Sequence, residues 1–232
     1  MRALMAMLVT IVSAAGMVAS ASDLEKEARW AEQIVDALLD GEAVTLNDGR
    51  GDFLAIETES TDGDVRKAAV IMHGTGVHPD WPTVVSPLRV GLTESGWHTL
   101  SIQMPVLANE AEHADYAAIY DWVPGRIDAA VRYLRGNGAD KVVLIGHSQG
   151  ATMVTYYLSR AHEPVDGFIA VGMSGGIAGG PMDTLAQLPQ LNLPILELYG
   201  SEDLPEVLAS AAQRREAATS ADYTQQTVDG AD

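Results

Sequence analysis

Lys141-Val142-Val143-Leu144-Ile145-Gly146-His147-Ser148-Gln149-Gly150 is the stretch whose reading decides the fold. Its first half is an apolar, β-rich run of buried-strand length. Its second half fits G-x-S-x-G, and residues 151–159 read as a helix. Strand, sharp turn and helix form the context in which that pentapeptide presents a nucleophile. The bend is expected to strain the backbone at Ser148 and lift its hydroxyl clear of the sheet edge. Gly146 and Gly150 are required because a Cβ at either place would crowd a neighbouring element. The helix that follows aims unpaired N–H groups and its positive dipole end at charge developing on a substrate oxygen. Glycine and serine are common enough for the pentapeptide to arise by chance, so the flanking strand and helix carry the reading.

Outward from this stretch, composition narrows the classes. The chain has 232 residues, 47% of them hydrophobic, enough for one domain with a buried core. Asp and Glu number 32 against 14 Lys and Arg, for a formal charge of −18. Such a surface repels nucleic acid and anionic membrane, and neither is expected as a partner. There is no cysteine. Disulfides, thiolate nucleophiles and cysteine-based metal sites are excluded together.

The N-terminus suggests export. Met1-Arg2 is a short positive start, 3–18 is apolar and uncharged, and Ala19-Ser20-Ala21 supplies the small residues of a cleavage site before Ser22. Residues 1–21 are therefore expected to be a removed signal peptide. The apolar stretch is short beside the roughly 20 residues of a spanning helix. The mature protein is expected to be periplasmic or secreted, without stable membrane insertion.

Ser22-Asp23-Leu24-Glu25 reads as a capping box opening a helix within 22–41. Leu24, Ala28, Ala31, Val35 and Leu38 form its inward stripe, Trp30 beside them, and Gly41 closes it. In the domain proper, 42–232, 44–46 and 52–58 read as strands around the hairpin signal Asn47-Asp48-Gly49. The apolar run 68–72 reads as a central strand covered on both faces. Strands follow at 99–104, 167–173, 194–199 and 223–228, with helices at 87–94, 124–135 and 207–219. Antiparallel strands followed by alternating strands and helices imply an α/β fold with a mostly parallel sheet flanked by helices. Two long loops remain. One, 106–122, is polar and carries Glu110, Glu112 and Asp115. The other, 174–190, is rich in glycine and proline and lies where a lid would be expected.

A serine hydroxyl needs a base, an acid to orient that base, and donors for the oxyanion. In folds built around this turn the acid follows the serine and the histidine follows the acid. Leu196-Glu197-Leu198-Tyr199-Gly200-Ser201-Glu202-Asp203 is a strand and a turn holding two acids. Asp203 is expected to orient the base, with Glu202 as its competitor. His73-Gly74-Thr75-Gly76 follows the 68–72 strand, so one oxyanion N–H is assigned to Thr75 and the other to Gln149. Gly76 and Trp81 are expected to line the substrate pocket, and Trp81 reads equally well as a plug in the core. His73 reads as a loop stabiliser, and Arg89 as half of a structural ion pair. All six histidines, at 73, 78, 98, 113, 147 and 162, precede Asp203. The base is therefore expected beyond residue 232, in a chain truncated before its last helix. His78 or His113 as substitute, or a protein without a base, are the other readings.

These motifs, in this order, resemble the α/β-hydrolase superfamily over 68–232. In that superfamily residues such as Gly-Ala-Asp often precede the catalytic histidine, and the chain ends Gly230-Ala231-Asp232. His78-Pro79-Asp80-Trp81-Pro82, Pro87-Leu88-Arg89 and Gly96-Trp97-His98-Thr99-Leu100 resemble, more narrowly, an uncharacterised bacterial family of exported α/β-hydrolase-like proteins. The resemblance implies a serine hydrolase, an esterase or related acyl hydrolase acting on a small molecule without metal or organic cofactor. The alternative is a non-catalytic binding or scaffold protein on the same fold.

Overall fold

The computed structural model describes residues 22–160 and 163–232. The expected signal peptide and His162 lie outside these residues. Within them, eight strands form one sheet in the order β1-β2-β4-β3-β5-β6-β7-β8. The antiparallel edge is β1 (Glu42–Asn47) and β2 (Asp52–Thr58), with β2 also antiparallel to β4 (His98–Ile102). The remaining pairs are parallel: β3 (Lys67–Met72), β5 (Lys141–His147), β6 (Gly167–Val171), β7 (Ile195–Gly200) and β8 (Tyr223–Val228). This is the α/β-hydrolase fold, with the mostly parallel sheet expected from the alternation of elements.

Strand β3 shows why a continuous apolar run belongs at the centre. Successive side chains point to opposite faces. Val70 and Met72 enter the large core under α3 (Val123–Gly136) and α4 (Gln149–Leu158). Ala69 and Ile71 enter the smaller core on the other face, with Val85 of α2 (Val85–Gly91). Each side chain as large as Val70, Ile71 or Met72 contributes about 1.5–3 kcal/mol when fully buried. At the opposite edge β8 reads Tyr-Thr-Gln-Gln-Thr-Val, with only Tyr223 and Gln225 half-buried.

Three expectations need correction. Helix α1 spans Leu24–Ala37 and is capped by Asp23, whose carboxylate accepts the Lys26 N–H at 2.9 Å. Ser22 is unavailable as the cap because its hydroxyl accepts the Val106 N–H and also bonds Glu27. Of the expected inward stripe of α1, Ala31 and Leu38 hold with Trp30 beside them, Ile34 stands in for Val35, and Ala28 is exposed. Trp30, Ala31, Ile34 and Leu38 pack on Leu54 and Ile56 of β2, leaving Leu24 and Val35 exposed. Gly41 does not close this helix; Leu38 is already extended, and Gly41 turns the chain into β1 at φ 86°.

The segment 106–122 is no polar loop throughout. Glu112 and Asp115 cap a 3₁₀ helix, His113–Trp122, that buries Tyr116, Ile119 and Tyr120. Glu110, Glu112 and Asp115 lie at or before its start and most of its apolar residues beyond, so average polarity hid the helix. The segment 174–190 likewise holds α5 (Thr184–Gln187) and a 3₁₀ turn, Leu188–Gln190. Helix α6 (Pro205–Ala217) completes the set.

Candidate active site

The turn between β5 and α4 is held by backbone sterics. Ser148 has φ 53° and ψ −120°, the one non-glycine residue with positive φ among the described residues. Such a conformation costs on the order of 1–3 kcal/mol and persists only where its surroundings enforce it. Here they do. A Cβ on Gly146 would stand 2.6 Å from the Ala151 backbone, and one on Gly150 would stand 2.5 Å from the Met72 carbonyl oxygen. Neither neighbour can move without disrupting β3 or α4. The Ser148 N–H donates to the Val171 carbonyl at 2.8 Å, tying the bend to β6.

Around Ser148 the expected residues converge. Gly74 packs close against it: a Cβ there would be 3.2 Å from the Ser148 Cβ, a tight contact. The Thr75 hydroxyl donates to the Gln149 side-chain oxygen at 2.6 Å, bracing the β3 loop against the start of α4. The first N–H groups of a helix lack an acceptor one turn back, and α4 begins at Gln149, next to Ser148. A cavity of about 750 Å³ opens onto Ser148, Thr75 and Gln149, with Trp81 in its wall. Trp81 also packs against the smaller core. Gly76 is not in the wall; it turns the loop at φ 67° toward the Tyr116 hydroxyl.

A second cavity, of about 300 Å³, joins Ser148 to Asp203, Ala231 and Asp232. The Asp203 carboxylate accepts the Gly200 and Leu204 N–H groups at 3.2 and 2.8 Å. A Cβ on Gly172, in the left-handed region at φ 59°, would lie 3.5 Å from the Asp203 carboxylate and 4.0 Å from the His147 ring. Glu202 lines neither cavity; its N–H donates to the Ala231 carbonyl. The geometry thus separates the two acids that the sequence left in competition.

The histidines divide by environment. His73 is buried, and Nε2 accepts the Met104 N–H at 2.9 Å, so the proton sits on Nδ1 and is donated to the Gly74 carbonyl. Desolvation lowers its pKa to about 3. It is a neutral brace for the loop carrying Thr75. His78 is wedged edge-on between Trp30 and Trp81, and burial lowers its pKa. His147 borders both cavities; burial pushes its imidazole below the ordinary value, against the opposing pull of the Asp203 carboxylate. His113 is exposed and reaches the wall of the larger cavity. Arg89 lies away from the site, 2.6 Å from Asp80 in a buried ion pair.

The sequence did not disclose the far wall. Leu204, Val207, Ser210 and Gln213 line the cavity from α6 and its approach, opposite Ile177 and Leu185 of the 174–190 segment. Their three-residue spacing was the available signal. The Ser210 hydroxyl accepts the Gly175 N–H at 2.9 Å, joining helix to segment. Behind it Arg214, fully buried, donates to Glu197 of β7 at 2.9 Å. Among the described residues no group of three or more His, Cys, Asp or Glu is arranged to hold a metal ion. None of their helices is long and apolar enough to cross a membrane.

No curated protein sequence matches the chain. Solved structures match its fold. The esterase domain of a Rhodothermus marinus protein aligns with a TM-score of 0.62 at 18% identity, over 82% of this chain and 88% of that one. Est1E from Butyrivibrio proteoclasticus gives 0.64 at 15%, over 82% and 89%. An alpha-beta serine hydrolase homologue from Coxiella burnetii gives 0.62 at 18%, over 82% and 88%. At such identities the likeness establishes the fold, and function has to be argued from the site. A family model described as "Protein of unknown function (DUF3530)" matches in two overlapping segments, 13–120 and 108–230, and across that span the chain belongs to this family.

Proposed function

We propose that the protein is a serine hydrolase acting on carboxylic esters or related acyl groups. The observation that carries this reading is the strained Ser148, opening onto one cavity shared with Thr75 and Gln149 and another shared with Asp203. The Ser148 hydroxyl attacks the acyl carbon as its proton passes to a histidine. The Thr75 and Gln149 N–H groups receive the charge on the tetrahedral oxygen. The imidazolium then protonates the leaving alcohol, and water repeats the sequence to release the acid. The base in this scheme is a histidine following Asp232, oriented by Asp203. Ala231 and Asp232 line the cavity shared by Ser148 and Asp203.

The test uses the protein encoded by the full reading frame. A fluorophosphonate should label Ser148, and Ser148→Ala should lower hydrolysis of an activated ester by about 10⁴-fold or more. Undiminished turnover in that variant refutes the reading. A reading frame without a histidine after Asp232, together with absent labelling, would favour a non-catalytic binding protein on this fold.

Export is part of the same proposal. Cleavage before Ser22 would leave Asp23 in place to cap α1. N-terminal sequencing of the protein recovered from the periplasm or medium should begin at Ser22; an intact Met1 there would overturn it.

A further inference from the structure

We propose that the larger cavity selects uncharged or cationic acyl substrates with an apolar body and rejects anionic ones. This rests on the hydrolase reading of Ser148 and names the substrate class of that site.

Three observations converge. First, the wall is largely apolar. Val77, Trp81, Ile177, Leu185 and Val207 all contribute to it. At about 750 Å³ the space lies in the range that encloses most of a small organic ligand. An aromatic or medium-length alkyl acyl group fits such walls.

Second, no Lys or Arg is among the residues lining either cavity that Ser148 opens onto. The nearest guanidinium to the far wall is already engaged: Arg214 is fully buried and bonded to Glu197. The other two fully buried arginines are likewise paired, Arg89 with Asp80 and Arg126 with Glu27. A substrate carboxylate entering here would lose its hydration and meet no ammonium or guanidinium in the wall, only the imidazoles of His113 and His147, a costly case for a buried charge. The imidazole that faces both cavities, His147, is held toward its neutral form by burial and supplies no cation either.

Third, carboxylates line both cavities. Asp183 caps α5 and accepts the Gly179 and Ala186 N–H groups at 2.8 and 3.0 Å, while Glu206 stands in the first turn of α6. Both line the larger cavity, and Asp203 and Asp232 line the smaller. A cleft lined by one sign of charge concentrates the field within it. Here the field opposes an anion and attracts a cation, and the chain's net charge of −18 acts in the same direction.

The experiment compares three activated esters with one leaving group and one chain length, ending in methyl, trimethylammonium or carboxylate. With the full-length protein at low ionic strength, kcat/KM for the carboxylate ester should fall at least about tenfold below the other two. Added salt should narrow the gap. Glu206→Gln should narrow it several-fold, read as the ratio of kcat/KM for the carboxylate and methyl esters within the one variant. Asp183→Asn, which retains a capping oxygen, should act in the same direction. Comparable kcat/KM for carboxylate and methyl esters overturns the inference while sparing the hydrolase reading. If no ester is turned over, the hydrolase reading fails. Binding of the matching non-hydrolysable ketones by calorimetry then decides the cavity's preference alone: weaker binding of the carboxylate ketone upholds it, and equal binding overturns it.

Discussion

Two turns at the carboxyl edge of the sheet carry the proposed chemistry, and they are built in different ways. The turn after β5 is enforced by backbone. Gly146 and Gly150 let β5, α4 and β3 approach so closely that Ser148 has one place to be. The turn after β7 is held by hydrogen bonds, from Gly200 and Leu204 to the Asp203 carboxylate. Sterics leaves no alternative register, whereas a bonded turn with two adjacent acids can be written with either one in the working position. The proposed nucleophile was therefore legible as a motif, and the proposed acid only to within one residue.

The largest test of this contrast is Asp203→Asn. If Asp203 orients the base, kcat should drop by about 10⁴-fold with folding intact. Glu202→Gln should leave kcat within a factor of about two, since Glu202 faces neither cavity. A reversed pattern, read from ester hydrolysis, would move the acid to Glu202.

Next comes the support behind the bonded turn. Arg214→Ala strands the fully buried Glu197 carboxylate on β7, and unfolding in denaturant should show a loss of about 3–5 kcal/mol. A loss below 1 kcal/mol would mean that Tyr223 and Gln225, which also donate to Glu197, suffice without the guanidinium.

The enforced turn is probed by Gly150→Ala. The added methyl meets backbone oxygens of Met72 and His73, which cannot swing aside. A destabilisation of about 1–3 kcal/mol or more is expected, with loss of Ser148 labelling. A stable, fully reactive variant would show that the turn has slack the geometry denies.

The last test is pH dependence. His73, which braces the loop over Ser148, has its pKa lowered to about 3 from an ordinary 6.5. Between those values the unfolded chain binds the extra proton. The stability from burying neutral His73 is therefore complete above about pH 6.5 and is lost progressively as pH falls toward 3. Its share of the slope is at most about 1.4 kcal/mol per pH unit. His78 and His147, lowered by burial, act in the same sense. A His73→Gln variant should show a shallower fall in stability between pH 6.5 and 4 by urea titration. An unchanged slope would mean that His73 is reached by protons without unfolding.

Sequence alone determined what depends on neighbours along the chain. The central strand 68–72, the turn at 146–150, the hairpin at 47–49 and the alternation that makes the sheet parallel are local patterns of polarity and backbone freedom, and they stand as read. Tertiary structure decided what depends on competition between distant groups. Ser22 reads as a cap until Val106 takes its hydroxyl, and Asp23 caps α1 instead. Residues 113–122 read as polar until Tyr116, Ile119 and Tyr120 find the core. Asp203 separates from Glu202 only when β7 and β6 lie side by side and Gly172 leaves space for one carboxylate near His147. The cavity's far wall, drawn from α6 and the 174–190 segment, has no local signature strong enough to announce it. Its members become neighbours only once the sheet has brought residues 30 or more positions apart into contact, as Gly175 and Ser210 are.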